Sequence, residues 1–288
     1  MKHGIYYAYW EKEWRGDYLY YIEKAARLGF DILELAASPF PEYTKEEIKA
    51  LRSCAQSNGI TLTAGHGPSA ACNIASADPA VKANALAFYE KIFDVMAQLD
   101  IHVIGGGIYS YWPVDYTKPI DKAGDWKRSI EGVRQMADLA SQRDITLCME
   151  VLNRFEGYLL NTAEEGTRFV KEVDKDNVKV MLDTFHMNIE ETSIGDAIRT
   201  AGKYLGHFHT GECNRLCPGQ GRTPWREIRD ALHDIGYDQA VVMEPFVQTG
   251  GTVGSDIKVW REMVPDLNEE KLDADAKAAL TFQRYMLD

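Results

Sequence analysis

The chain has 288 residues, 45% of them hydrophobic, and a formal net charge of −12. That apolar content can build a large core and argues against disorder, while an acidic balance without any Lys/Arg run disfavours nucleic acid as a partner and favours a neutral over an anionic substrate. The start MKHGIYYAYW lacks a signal-peptide core, no apolar run nears the ~20 residues that span a bilayer, and Cys54, Cys72, Cys148, Cys213 and Cys217 fit no zinc spacing, so a cytoplasmic protein with no membrane partner is expected.

Short β-rich runs alternate with longer amphipathic ones. Strands are predicted at 4–8, 30–35, 60–65, 101–106, 145–150, 178–183, 204–209 and 240–245. Helical patterns fall between them, as at 17–28, 44–57, 79–99 and 126–143. In TAEEGTRFVKEV, Thr162 as N-cap and Glu165 three residues on predict a capping box. RLGFDIL, SNGITL and DIGYDQAVV each place a glycine where a helix ends and a strand restarts. Strands joined through helices must run parallel, and crossovers of one hand carry the sheet around in one sense. Eight such units over residues 1–288 predict one α/β domain, a closed (β/α)8 TIM barrel. The rival, an open doubly wound sheet, normally has a Gly-rich turn after its first strand, and YYAYWEKEW has none. DADAKAALTFQRYML reads as an extra C-terminal helix.

In such a barrel the C-terminal strand ends share one mouth. Strand five ends in Glu150, strand six in Asp183, strand seven in His209 and strand eight in Glu244. Taken singly, each is what any strand end carries. Together they crowd three carboxylates beside an imidazole, and the three anionic groups repel one another unless a cation sits among them. Oxygen-rich ligands with one imidazole suit Mn²⁺, Mg²⁺ or Co²⁺, and a catalytic Zn²⁺ is also compatible. A metal polarises a carbonyl and acidifies the neighbouring C–H. Glu150 and Glu244, three steps apart around an eight-membered ring, then suit removal of a proton from one face and its return to the other.

Glu156, His186 and Arg215 follow strands five, six and seven and surround this site with groups able to hold hydroxyls. Arg215 also suits negative charge developing on an enolate-like oxygen. Gly107 allows close backbone approach, while Trp112, Tyr6 and Phe246 offer apolar walls for a sugar's C–H faces. His66 reaches the mouth without an assigned role, the Trp14 loop is a candidate lid, and His3, His102 and His233 read as structural or surface residues.

MEVLNRFE, MLDTFHMNIEE, HTGECNR and VVMEPF, with GHGPSA and YSYWPVDY, resemble the ketose 3-epimerases of the D-tagatose 3-epimerase family, nearest its D-psicose-acting branch. The likeness runs along essentially the whole chain. It implies a barrel of the sugar isomerase/epimerase type and one divalent metal per subunit, usually Mn²⁺ or Co²⁺, on Glu150, Asp183, His209 and Glu244. It implies Glu150 and Glu244 as the acid/base pair, and Glu156, His186 and Arg215 around the O1–O3 end of the sugar, with Tyr6, Gly107, Trp112 and Asp183 also at the substrate. It further implies a homodimer or homotetramer. The expected reaction is inversion of free ketohexoses at C3, D-fructose to D-psicose and back, through a cis-enediolate. An aldose–ketose isomerase is the alternative on the same barrel. An apurinic-site endonuclease would need a basic face, and a non-catalytic sugar binder would have no use for paired glutamates.

Overall fold

The computed structural model describes residues 1–288. Eight parallel strands follow one another around a closed barrel: β1 (Lys2–Tyr6), β2 (Ile32–Ala36), β3 (Thr61–Gly65), β4 (Val103–Gly106), β5 (Thr146–Glu150), β6 (Val178–Asp183), β7 (Leu205–Thr210) and β8 (Ala240–Met243), with β8 pairing back onto β1. The helices are α1 (Tyr18–Leu28), α2 (Lys45–Asn58), α3 (Pro79–Leu99), α4 (Lys122–Ser141), α5 (Ala163–Val173), α6 (Thr184–Glu190), α7 (Ile194–Ala201), α8 (Trp225–Asp234), α9 (Gly251–Ile257) and α10 (Glu269–Leu287). The expected barrel and its additional C-terminal helix are both present. No helix is long and apolar enough to cross a membrane.

Element ends follow local chemistry. Gly29 and Gly59 take left-handed φ values of 95° and 67° and close α1 and α2, as their spacing predicts. A full capping box forms at Thr44 and Glu47. The one expected at α5 forms only in half. Thr162 accepts the Glu165 N–H, but the Glu165 carboxylate turns to the Asn161 N–H (2.8 Å) and the Lys122 ammonium (2.7 Å), which offers a stronger, charge-assisted bond. β1 ends at Tyr6, earlier than predicted, because residues 7–9 wind into a 3₁₀ turn and Tyr7 packs edge-on to Tyr18 of α1 at 4.8 Å. β8 ends at Met243 because Pro245 has no N–H to continue the ladder. The Glu244 N–H still donates to Thr210 O at 2.8 Å, so Glu244 is held much as a strand residue is.

Alternation along β6 sends Val180 and Leu182 to the helices and Met181 and Asp183 inward. The β6–β7 pairing contains a bulge: Val180 faces Leu205, whereas Met181 faces His207 and Asp183 faces His209. Gly206 is the extra residue. A Cβ there would lie 2.5 Å from Lys179 Cβ, so only glycine fits the close approach. The bulge shifts β7 by one residue, which brings His207 and His209 to the inside, in phase with Asp183.

His3, His102 and His233 serve the frame. Buried His3 bonds Asp288 at 3.0 Å, exposed His102 bonds Asp144 O at 3.0 Å, and His233 bonds Leu287 O at 2.8 Å.

Candidate active site

A cavity of about 300 Å³ opens at the C-terminal ends of the strands. Tyr6, Gly107, Trp112, Glu150, Glu156, His186, His209, Arg215, Glu244 and Phe246 line it. Asp183 lies beneath its surface, 1% exposed. Each of Glu150, Asp183, His209 and Glu244 offers one ligand atom, and all four atoms lie within 4.8 Å of one another. Donors bound ~2.1 Å from one ion stand at most about 4.2 Å apart, so the set needs only a small contraction.

The electrostatics suit a cation among these groups. Burial, then the neighbouring Glu244, push the Glu150 carboxyl well above the usual carboxylate range. Burial also opposes ionisation of Asp183, but Arg215, His186 and His209 outweigh it and hold its pKa below the ordinary value. For His209, burial disfavours the charged ring, yet Glu34 and Glu244 prevail and raise its pKa well above that of a free imidazole. His209 Nδ1 is buried without a hydrogen-bond partner, 3.7 Å from Glu244 Oε2. A proton and a metal ion would compete for that nitrogen. Three carboxylates, one unpartnered imidazole nitrogen and an open cavity beside them fit a resident divalent metal.

Arg215 is the one Lys or Arg lining the cavity. Its Nη1 donates to Asp183 Oδ2 (3.1 Å) and Glu244 Oε2 (3.0 Å), and Nη2 lies 3.7 Å from Glu156 Oε1. The guanidinium stacks 3.8 Å from the Phe185 ring centroid. Its backbone φ of 65° is strained for a non-glycine residue and is maintained by the loop around it.

His186 is aimed by Asn153, a residue to which the sequence pattern assigned no role. The Asn153 N–H and side-chain amide both donate to His186 Nδ1 (3.2 and 2.8 Å). The Phe155 N–H bonds Asn153 Oδ1, which fixes the amide's orientation. Nδ1 is therefore an acceptor, and Nε2 carries the proton toward the cavity. Asn153 also donates to Glu156 Oε1 at 3.0 Å. Burial lowers the His186 pKa and keeps the ring neutral.

The apolar walls meet overhead. Trp14 packs edge-on to Trp112 (6.0 Å) and Phe246 (6.1 Å), and its indole N–H donates to Asp256 at 2.7 Å. His66 is buried at the end of β3, with Ser38 Oγ 3.1 Å from Nδ1 and Nε2 unpartnered. Gly107 is not the glycine the backbone demands. A Cβ on Gly107 would meet only Leu152 Cδ1 at 3.5 Å, whereas Gly106 has φ 119° and a Cβ there would sit 2.3 Å from His66 O. Glu34 and His207 form a buried layer beneath the cluster. The signals that could have found them were a lone carboxylate in an apolar strand, FDILEL, and the inward alternation of HFH.

A closed parallel barrel whose mouth gathers this donor set beside a small cavity defines the class. The chain matches the family model described as xylose isomerase-like TIM barrel over residues 22–265. It is 64% identical over 288 residues to the D-psicose 3-epimerase of Ruminiclostridium cellulolyticum, covering 100% of this chain and 98% of the relative. A crystal structure of D-psicose 3-epimerase with D-tagatose from Clostridium cellulolyticum H10 superposes with a TM-score of 0.99, at 64% identity and 100% coverage of both chains. A second, of D-psicose 3-epimerase in the presence of D-fructose, gives 0.99 at 60% identity, covering 100% of this chain and 99% of the other. The chain belongs to the D-psicose 3-epimerase family of ketose 3-epimerases.

Proposed function

We propose that this protein inverts free ketohexoses at C3, interconverting D-fructose and D-psicose, with one divalent metal ion per subunit. The observation that carries the reading is the four-ligand cluster with its unpartnered His209 Nδ1, in a chain so similar to D-psicose 3-epimerases. Glu150, Asp183, His209 and Glu244 hold the metal, with Mn²⁺ or Co²⁺ favoured and Mg²⁺ compatible. When bound, the ion supplies Lewis acidity to the carbonyl end of the sugar.

Glu150 and Glu244 are the proton-transfer pair: one takes the C3 proton and the other returns one to the opposite face. His186 Nε2–H donates to a sugar oxygen, and Glu156 and Arg215 hold the hydroxyls beside it. Arg215 also steadies the negative charge that develops when C3 loses its proton. Tyr6, Gly107, Trp112 and Phe246 enclose the rest of the sugar. With one guanidinium against four nearby carboxylates, the cavity suits an uncharged sugar better than a sugar phosphate. The five free thiols suit a reducing cytoplasm. Phe155, 72% exposed, and Tyr116, 46% exposed, give this rim an apolar surface that supports a homodimer or homotetramer.

The test is product analysis with D-fructose, D-psicose and D-tagatose, before and after chelation. A new ketose carrying solvent deuterium at C3 in D₂O, lost on chelation and restored by Mn²⁺, is expected. An aldose product, or full turnover without metal, defeats the reading.

A further inference from the structure

We propose that Glu34 is the positioning residue for His209, fixing the imidazole so that Nε2 bears the proton and Nδ1 is the coordinating atom. The inference rests on the metal reading above.

Glu34 is fully buried on β2. Its Oε1 lies 2.7 Å from His209 Nε2 and its Oε2 2.7 Å from His207 Nε2, and the Thr63 hydroxyl donates to Oε2 at 2.8 Å. An ionised carboxylate only accepts, so both Nε2 atoms must carry hydrogen. At His209 this leaves Nδ1 for the cluster, and Nδ1 is the atom without a protein partner. His207 and His209 stand two residues apart on β7, on one face of the strand. β2 and β7 are separated in the ring by β1 and β8, so the glutamate reaches across the interior and ties both imidazoles to one point. Space for this layer comes from Gly105, where a Cβ would lie 2.4 Å from Met181 Sδ and 3.6 Å from His207 Cδ2.

A carboxylate behind a metal-bound histidine fixes its tautomer and orientation and raises its basicity. A Glu34→Gln side chain has one acceptor oxygen and one donor nitrogen, so it can accept from only one ring. The other ring must present an Nε2 lone pair and move its proton to Nδ1. At His209 that proton occupies the coordinating position. At His207 it lands on a buried nitrogen that has no partner. Either way the hold on His209 weakens.

The experiment measures Mn²⁺ affinity of the metal-free full-length chain by chelator competition, for wild type and Glu34→Gln, with the visible spectrum of the Co²⁺-loaded forms. Affinity is expected to fall roughly 10–100-fold, with an altered Co²⁺ spectrum and only a minor change in the thermal midpoint of the metal-free chain. Wild type that binds while Glu34→Gln binds equally, with the same spectrum, overturns the role of Glu34 alone. Wild type that binds no divalent ion overturns the metal reading and this inference with it. A large loss of metal-free stability at unchanged affinity assigns Glu34 to the frame and also overturns it. Should the variant not fold, ¹⁵N-histidine NMR of Zn²⁺-loaded wild type decides: His209 must show a protonated Nε2 and a metal-shifted Nδ1, and the reverse pattern refutes the proposal.

Discussion

Removing the Glu212 side chain tests how the loop after β7 presents Arg215. Glu212 is completely buried. Its Oε1 accepts from the Gly219 N–H (2.7 Å) and the Trp225 indole N–H (3.0 Å), and its Oε2 accepts from the Thr223 N–H (3.0 Å). The Arg215 N–H donates to Glu212 O at 2.9 Å, so the same residue fastens the turn in which Arg215 is strained. In Glu212→Ala, exposed Gly219 can bond water, but buried Thr223 and Trp225 lose their acceptor. At about 1–3 kcal/mol for each stranded donor, the expected loss is about 2–6 kcal/mol. For a chain of this length each kcal/mol shifts the midpoint by about 1.5–2 °C, so Tm should fall by roughly 3–12 °C. Glu212→Gln keeps one oxygen and sets an NH₂ against an N–H, which costs about 1–3 kcal/mol if Thr223 is the group stranded. The released turn lets Arg215 relax from a backbone state that costs about 1–3 kcal/mol, so kcat/KM should drop as well. Urea denaturation, thermal melts and steady-state kinetics on the three proteins give the answer. A Glu212→Ala protein with wild-type Tm and kcat/KM would refute the reasoning.

Glu244→Gln should lower kcat at saturating Mn²⁺ by roughly 10²–10⁴-fold while calorimetry still detects sugar binding; unchanged turnover would remove Glu244 from the proton-transfer pair. Burial pushes His66 down from 6.5 to about 4. The unfolded chain therefore takes up a proton between those values that the folded chain refuses, and stability falls as pH drops through that window. The wild-type stability advantage over His66→Gln, measured in urea on metal-free protein, should shrink by about 2 kcal/mol from pH 7 to pH 5; a pH-independent difference would rule out a neutral buried His66. Gly106→Ala should cost at least ~2–3 kcal/mol and reduce activity, since it combines a left-handed φ with a Cβ 2.3 Å from a backbone oxygen, whereas Gly107→Ala should fold normally. Equal stabilities for these two variants would mean that the backbone at Gly106 is not as described.

The barrel and its rim were legible because both are encoded locally. Each β–turn–α unit carries its own hydrophobic period, several carry their own glycine stop, and residues at or just past a strand's C-terminal end reach the mouth. The series Glu150, Asp183, His209 and Glu244 can therefore be picked out by position alone. Residues that act through pairing are a different matter. Asn153 matters because its amide meets His186, 33 positions away, and nothing in EVLNRFE marks it above the arginine beside it. Gly106 and Gly107 are indistinguishable as letters, and only the approach of His66 O separates them.

Glu34 shows the limit most sharply. Its partners lie 173 and 175 residues on, across the barrel rather than beside it. Their inward orientation depends on the bulge at Gly206, which lies within the strand predicted at 204–209 and does not declare itself the extra residue until the β6–β7 register is known. Were Gly206 paired regularly with Met181 instead of bulging, Phe208, not His209, would face Asp183, and the interior would receive a phenyl ring in place of an imidazole. A one-residue irregularity on β7 thus governs both the donor set at the mouth and the carboxylate layer beneath it. Gly206→Val, whose Cβ would lie 2.5 Å from Lys179 Cβ, should therefore disturb the bulge and weaken metal binding even where the remaining seven strands keep the fold, an outcome that metal titration and circular dichroism together can check.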